Sequence, residues 1–90
     1  MQQKPVDDTE EMESDSEGMT FSEALEELVD GNSIARSGWN GKGMWISLQN
    51  PDEDSKMTLP YIFMSTADGN LVPWLASQTD ILSDDWEVVP

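Results

Sequence analysis

The stretch 33-SIARSGWNGKGMWISLQ-49 decides how this chain folds. Residues 33–39 read as a short strand and residues 43–49 as a better one, joined by the hairpin-turn chemistry of Asn-Gly-Lys-Gly. In the second strand Met44, Ile46 and Leu48 share one face, while Trp45, Ser47 and Gln49 share the other. Trp45 is the odd member of that polar face. Residues 36–48 also hold two of the chain's four tryptophans, three of its six glycines and two of its four basic residues, Arg36 and Lys42. A hairpin that only reverses the chain needs none of these. A site for a flat, anionic molecule would use them all.

Upstream, 20-TFSEALEELVDGN-32 predicts an amphipathic helix. Thr20 and Glu23 form a capping box, in which each side chain satisfies a free amide at the helix start. Phe21, Ala24, Leu25, Leu28 and Val29 recur at helical spacing and give one apolar stripe, and Gly31 can end the helix in the left-handed conformation. Downstream, residues 50–56 form a polar loop in which Pro51 cannot continue a ladder, and residues 57–66 return as a strand. There Leu59, Tyr61 and Phe63 face one way, Ile62 and Met64 the other. Both faces are apolar, so both need cover. One short helix covers only one, and the second is expected to meet another subunit. A turn at Ala67-Asp68-Gly69-Asn70, a short extended Leu71-Val72, a helical turn within residues 77–85 capped by Ser77 or Thr79, and a closing strand at residues 86–90 complete the chain. The expected fold is α+β: a small antiparallel sheet of four or five strands, one amphipathic helix and one short helical turn.

Composition narrows the function. The chain has 90 residues, 37% apolar, a mean hydropathy of −0.53 and no apolar run near the length of a membrane span, so it reads as one soluble domain. No cationic start leads into an apolar run, which argues against secretion. Cysteine and histidine are both absent, excluding disulfides, thiolate chemistry, a zinc site and a serine–histidine relay. With 4 basic and 19 acidic residues the net charge is −15, which disfavours binding to DNA, RNA or an anionic membrane. Seven of the acids lie in residues 1–18, read as a disordered acidic tail, and residues 19–90 form the single ligand-binding domain with 12 acids and 3 bases. Beyond about 8 Å that tail is screened from a pocket at physiological salt. A DNA mimic remains the alternative that so acidic a chain permits.

Trp86, inside an apolar strand, reads as core. Trp39 at a glycine turn, Trp45 on a polar strand face and Trp74 beside Pro73 can either complete the core or a subunit interface, or stack on a ligand ring. Arg36 can pair with a surface carboxylate, or its guanidinium fork can reach a phosphate beside a ring stacked on Trp39. Neither the P-loop nor the dinucleotide fingerprint is present. The stretch 74-WLASQTD-80 is the second candidate: a helix start with neutral hydrogen-bonding groups, where Asp80 can accept from a ribose diol or simply cap the helix. Thr66 and Asp68 read as turn residues. Asp52-Glu53-Asp54 lacks calcium-loop spacing, and no constellation supports catalysis.

Taken together, T-F-S-E-A-L, R-x-G-W-N-G-K-G-M-W, L-P-Y-I, A-D-G-x-L-V-P-W-L-A-S-Q-T-D and D-W-E-V-V make a specific set. From Met19 to Val89 the chain resembles the small phage-encoded Thoeris anti-defence family of the second type. The resemblance implies a homotetramer that works in the cytoplasm of an infected bacterium. It would bind a cyclic ADP-ribose isomer made by a TIR-domain enzyme and release it unchanged, with no cofactor and no catalysis. It further implies that some relatives capture cyclic dinucleotides. Such a ligand carries a purine, two riboses and a pyrophosphate. Arg36, Trp39, Asn40, Trp74, Ser77, Thr79 and Asp80 supply matching groups within the two landmark runs, so these seven are the expected contacts. Trp39 is expected to stack, and Trp45 to meet another subunit.

Overall fold

Thr20 opens helix α1 (Phe21–Val29) as its sequence predicts. Its hydroxyl accepts from the Glu23 amide, and the Glu23 carboxylate accepts from the Thr20 amide at 2.9 Å. The helix closes just as locally: Asn32 donates its amide to Glu27 and Gly31 its amide to Leu28, with Gly31 at φ +101. That double bond is the Schellman ending, which a left-handed glycine permits. These features belong to a computed structural model that describes residues 18–40 and 42–90. Except for Gly18, the expected acidic tail lies outside the described residues.

Five strands follow the helix: β1 (Ser33–Arg36), β2 (Trp45–Gln49), β3 (Tyr61–Ser65), β4 (Leu71–Pro73) and β5 (Trp86–Val89), with helix α2 (Gln78–Leu82) before the last. They make one antiparallel sheet in the order β4-β3-β2-β1-β5, so the closing strand returns beside the first. The α+β expectation holds, with five strands. Strand lengths differ from the reading of the sequence. β1 stops at Arg36 because the Ser37 amide turns to the Asp85 carbonyl and the Trp39 amide to the Arg36 carbonyl. The link to β2 is therefore a wide loop over residues 37–44, not a tight hairpin. β3 begins only at Tyr61, after Pro60, which has no amide to give a ladder.

Register divides the sheet into two faces. Ile34 pairs with Ile46 and Val88, and Ile46 with Met64; with Arg36, Trp86 and Ile62 these form the face under α1. Ala24, Leu28, Ile34, Ile46 and Trp86 are the buried core, with Met19, Phe21, Trp39, Ile62, Met64 and Trp74 packed around it. The apolar stripe of α1 is only partly used: Phe21, Ala24 and Leu28 turn inward, whereas Val29 stays 67% exposed. On the other face two rows cross the sheet, Glu87–Ala35–Trp45–Ser65–Leu71 and Val89–Ser33–Ser47–Phe63–Pro73. Tyr61 and Phe63 lie there as expected, and no helix among the described residues covers them.

Both rims of the sheet are modified. β4 is short and ends at Pro73. At β5 the Met19 and Trp86 backbones exchange two hydrogen bonds, at 2.8 and 3.2 Å, forming a single bridge outside the strands. Gly18 makes this bridge possible, since a Cβ there would sit 2.8 Å from the Asp85 Cα and closer still to the Asp84 carbonyl oxygen. Both are backbone atoms that cannot swing away. Gly18→Ala is thus expected to lower stability by about 1–3 kcal/mol through forced backbone displacement. A urea midpoint equal to the parent's would show that the bridge adjusts freely.

Candidate functional site

Arg36 stands opposite Trp86 in the β1–β5 pairing, at the point where the chain leaves β1 for the wide loop. Its guanidinium donates from Nε to Asp85 Oδ1 at 2.8 Å, from Nη2 to Asp85 Oδ2 at 3.4 Å and from Nη1 to Asp80 Oδ1 at 2.9 Å. The Arg36 and Asp80 side chains are each only 14% exposed, so this pairing is shielded from water. Each carboxylate serves a second element. Asp80 Oδ1 also accepts the Trp39 indole N–H at 3.1 Å, and Asp85 Oδ2 accepts the Gly38 amide at 2.8 Å. A side chain at position 38 would place its Cβ 2.7 Å from that same oxygen, which explains the glycine.

The titration of these groups reflects the geometry. Hydrogen bonding from Arg36, helped by the Gly38 amide, holds the Asp85 carboxyl below the usual carboxylate range despite some burial. For Asp80 burial acts upward, but hydrogen bonds from Trp39, Arg36 and Ser77 together outweigh it and the net shift is downward. Arg36 is raised in turn, chiefly by its bonds to Asp85 and then Asp80. All three are charged at neutral pH, and one guanidinium faces two carboxylates.

Above this network lies an aromatic cluster. Trp86 is fully buried at its centre, with ring centroids 5.3 Å from Trp39, 5.4 Å from Phe21 and 6.2 Å from Trp74. Its indole N–H donates to the Asp80 backbone carbonyl at 2.9 Å. Ser77 caps α2, accepting the Asp80 amide at 3.0 Å while the Asp80 carboxylate reaches back to the Ser77 amide. Asp80 therefore ties the start of α2 to the loop after β1 and to the core tryptophan.

Beside the same loop, at the β1–β5 end of the sheet, a groove of about 390 Å³ opens, and Arg36 also lines it. Trp39, Lys42 and Trp45 contribute from the loop and β2, Ala35 from β1, and Glu87 and Val89 from β5. The volume falls in the range of small-molecule sites. Trp45 packs edge-to-face on Phe63, with centroids 5.8 Å apart, which fixes its indole on the face of the sheet away from α1. Among the described residues no cluster of three or more acidic side chains could hold a metal ion, and no helix is long and apolar enough to cross a membrane.

Of the seven expected contacts, the structure joins Arg36, Trp39, Asp80 and Ser77 directly and brings Trp74 to them through Trp86. Asn40 and Thr79 stand apart: both are exposed, and neither side chain makes a hydrogen bond among the described residues. Asp85 and Ala35 escaped the reading of the sequence, whereas Gly38 was expected to allow close approach to an anion and its amide instead donates to Asp85. Asp85 is 49 residues from Arg36, and only the return of β5 beside β1 unites them. Ala35 carries a signal, a small residue between two large ones in a strand, but its meaning depends on which strands flank it.

Residues 19–89 match the Thoeris anti-defense 2-like domain family, named Tad2-like. The chain belongs to that family. A Tad2 relative, the Thoeris anti-defense 2 protein of Bacillus phage SP01, is 38% identical over 84 residues, which span 79% of this chain and 94% of that protein. The matched region begins at the Met19 bridge and ends with β5, so it takes in every strand and helix described above. Tad2-like membership carries a phage anti-defence role directed at Thoeris.

Proposed function

We propose that this protein blocks Thoeris signalling by sequestering a TIR-made cyclic ADP-ribose isomer, of the glycocyclic type, without cleaving it. The observation that carries the reading is an open groove with two tryptophans and a lysine, found in a member of an anti-defence family. A purine–ribose–pyrophosphate ligand needs aromatic surface, hydrogen-bond acceptors and positive charge, and those types line it. Sequestration also fits a chain with no histidine and no cysteine to act as general base or thiol nucleophile. In this reading the protein works in the host cytoplasm and self-associates as a homotetramer, with the uncovered Tyr61–Phe63 side of the sheet as the surface to bury. Cyclic dinucleotides are a second ligand class to test. Of the expected contacts, Trp39 and Arg36 line the groove and Asp80 helps to position Trp39, whereas Trp74, Asn40, Ser77 and Thr79 lie outside its lining.

A protein that removes a micromolar signal must hold it with roughly −10 to −12 kcal/mol, a nanomolar-range dissociation constant. Calorimetry with cyclic ADP-ribose isomers is expected to give that affinity, and heat denaturation of the complex to return the ligand intact. A cleaved product would sink the proposal. Deleting residues 1–18 is expected to leave Kd within about twofold, because distant charges are screened. Loss of anti-defence activity with ligand binding retained would instead favour the DNA-mimic alternative.

A further inference from the structure

Three cations lie among the described residues, and their situations differ. Arg36 is matched by two carboxylates. Lys56 belongs to the polar loop after β2 and lines no groove described here. Lys42 lines the 390 Å³ groove, is exposed and makes no ion pair among the described residues. In a domain whose residues 19–90 carry 12 acids and 3 bases, a cation that lines a concave surface and makes no ion pair among the described residues has unusual weight for an anion.

The shape of the groove follows from one residue. Ala35 is paired with Glu87 on β5, and the Ile34–Ile46 register puts it beside Trp45 on β2. Two strand spacings separate the flanking positions by roughly 9–10 Å, with only a methyl group between them. That leaves room for a ring lying against the Trp45 indole, whose orientation Phe63 fixes. Lys42 stands on the loop side, and Glu87 on the β5 wall offers an acceptor.

We propose that this groove seats a nucleotide: its base against Trp45 over Ala35, a phosphate at the Lys42 ammonium, and a ribose hydroxyl or exocyclic amine donating to Glu87. The proposal rests on the sequestration reading and sharpens it. It assigns the phosphate contact to Lys42 and leaves Arg36, Asp80 and Asp85 as positioning residues that hold Trp39 in the groove wall.

Calorimetry of the full chain tests it, with cyclic ADP-ribose isomers, linear ADP-ribose and AMP as probes. Lys42→Glu is expected to weaken binding about a hundredfold and to flatten its dependence on salt. Ala35→Leu, which fills the groove without touching a charge, is expected to weaken it at least about tenfold with the melting curve unchanged. Lys56→Glu, the charge-matched control, should stay within about twofold. If the parent binds and both Lys42→Glu and Ala35→Leu bind as it does, the groove is not the site. Should Ala35→Leu fail to fold, Lys42→Glu decides alone, because its side chain is exposed. Binding of linear nucleotides with these same losses, but of no cyclic isomer, would keep the groove and overturn sequestration. Binding of no probe would overturn both.

Discussion

Trp86→Ala is expected to leave the protein largely unfolded at 37 °C. The side chain is 0% exposed, packs edge-on against Trp39 and Trp74 and tilted against Phe21, and donates its N–H to Asp80 O. Truncating so large a buried ring costs about 3–5 kcal/mol, more when the site cannot collapse around the gap. Here it cannot collapse easily, since β5 and α2 both hang on the indole. A domain of this length holds only about 4–11 kcal/mol in total, so the loss takes a large share. Far-UV circular dichroism against temperature checks it. Trp86→Phe should recover most of the stability, because it keeps a ring and gives up chiefly the 2.9 Å hydrogen bond. A Trp86→Ala melting temperature within about 5 °C of the parent's, worth about 1 kcal/mol, would refute the central role given to this residue.

Asp80→Ala is expected to have the next largest effect, about 2–3 kcal/mol. It removes an acceptor shared by Arg36 and Trp39, leaves the Trp39 N–H without its partner, and abolishes the reciprocal cap of α2. Acid should reproduce part of that loss. Asp80 and Asp85 both titrate lower in the folded state than a free carboxylate. Their contribution is therefore complete above the unfolded value of about 3.9 and disappears as pH falls through the lower folded values. Between about pH 5 and pH 2 the parent's urea midpoint should fall more steeply than that of Asp80→Asn/Asp85→Asn, which has nothing to protonate there. Parallel curves would mean that the two aspartates do not set acid stability.

Local signals carried much of this fold. The capping box at Thr20 needs only three residues of context, and α1 starts where it says; for α2 the sequence left Ser77 and Thr79 open, and Ser77 is the cap. The alternation Tyr61–Ile62–Phe63–Met64 put the right side chains on opposite faces, although Pro60 trimmed the strand. What escaped was long-range. Arg36 reads equally well as a free phosphate fork or a paired ion, and the choice depends on carboxylates 44 and 49 residues away. The same holds for the groove: Ala35 is unremarked in a sequence and becomes a floor only when β2 and β5 flank it. The tryptophans illustrate both cases: Trp86 announced itself as core and strand alternation put Trp45 on the correct face, whereas only the register set Trp45 beside Ala35.

The rims of the sheet bear on how the protein can be stockpiled. If the protein works as proposed, removing a signal one for one, it must accumulate at least to the level of that signal, and exposed strand edges are where concentrated proteins polymerise. Here Pro73 ends the short β4 rim, and Met19 already occupies the outward hydrogen bonds of Trp86 on the other. Growth by strand addition is obstructed in both directions, and the net charge of −15 keeps separate particles apart. Under the proposed self-association, the broad face carrying Tyr61 and Phe63 would be the surface used, giving closed particles of fixed size rather than fibres. A sequestering protein in that form would stay dispersed at high concentration.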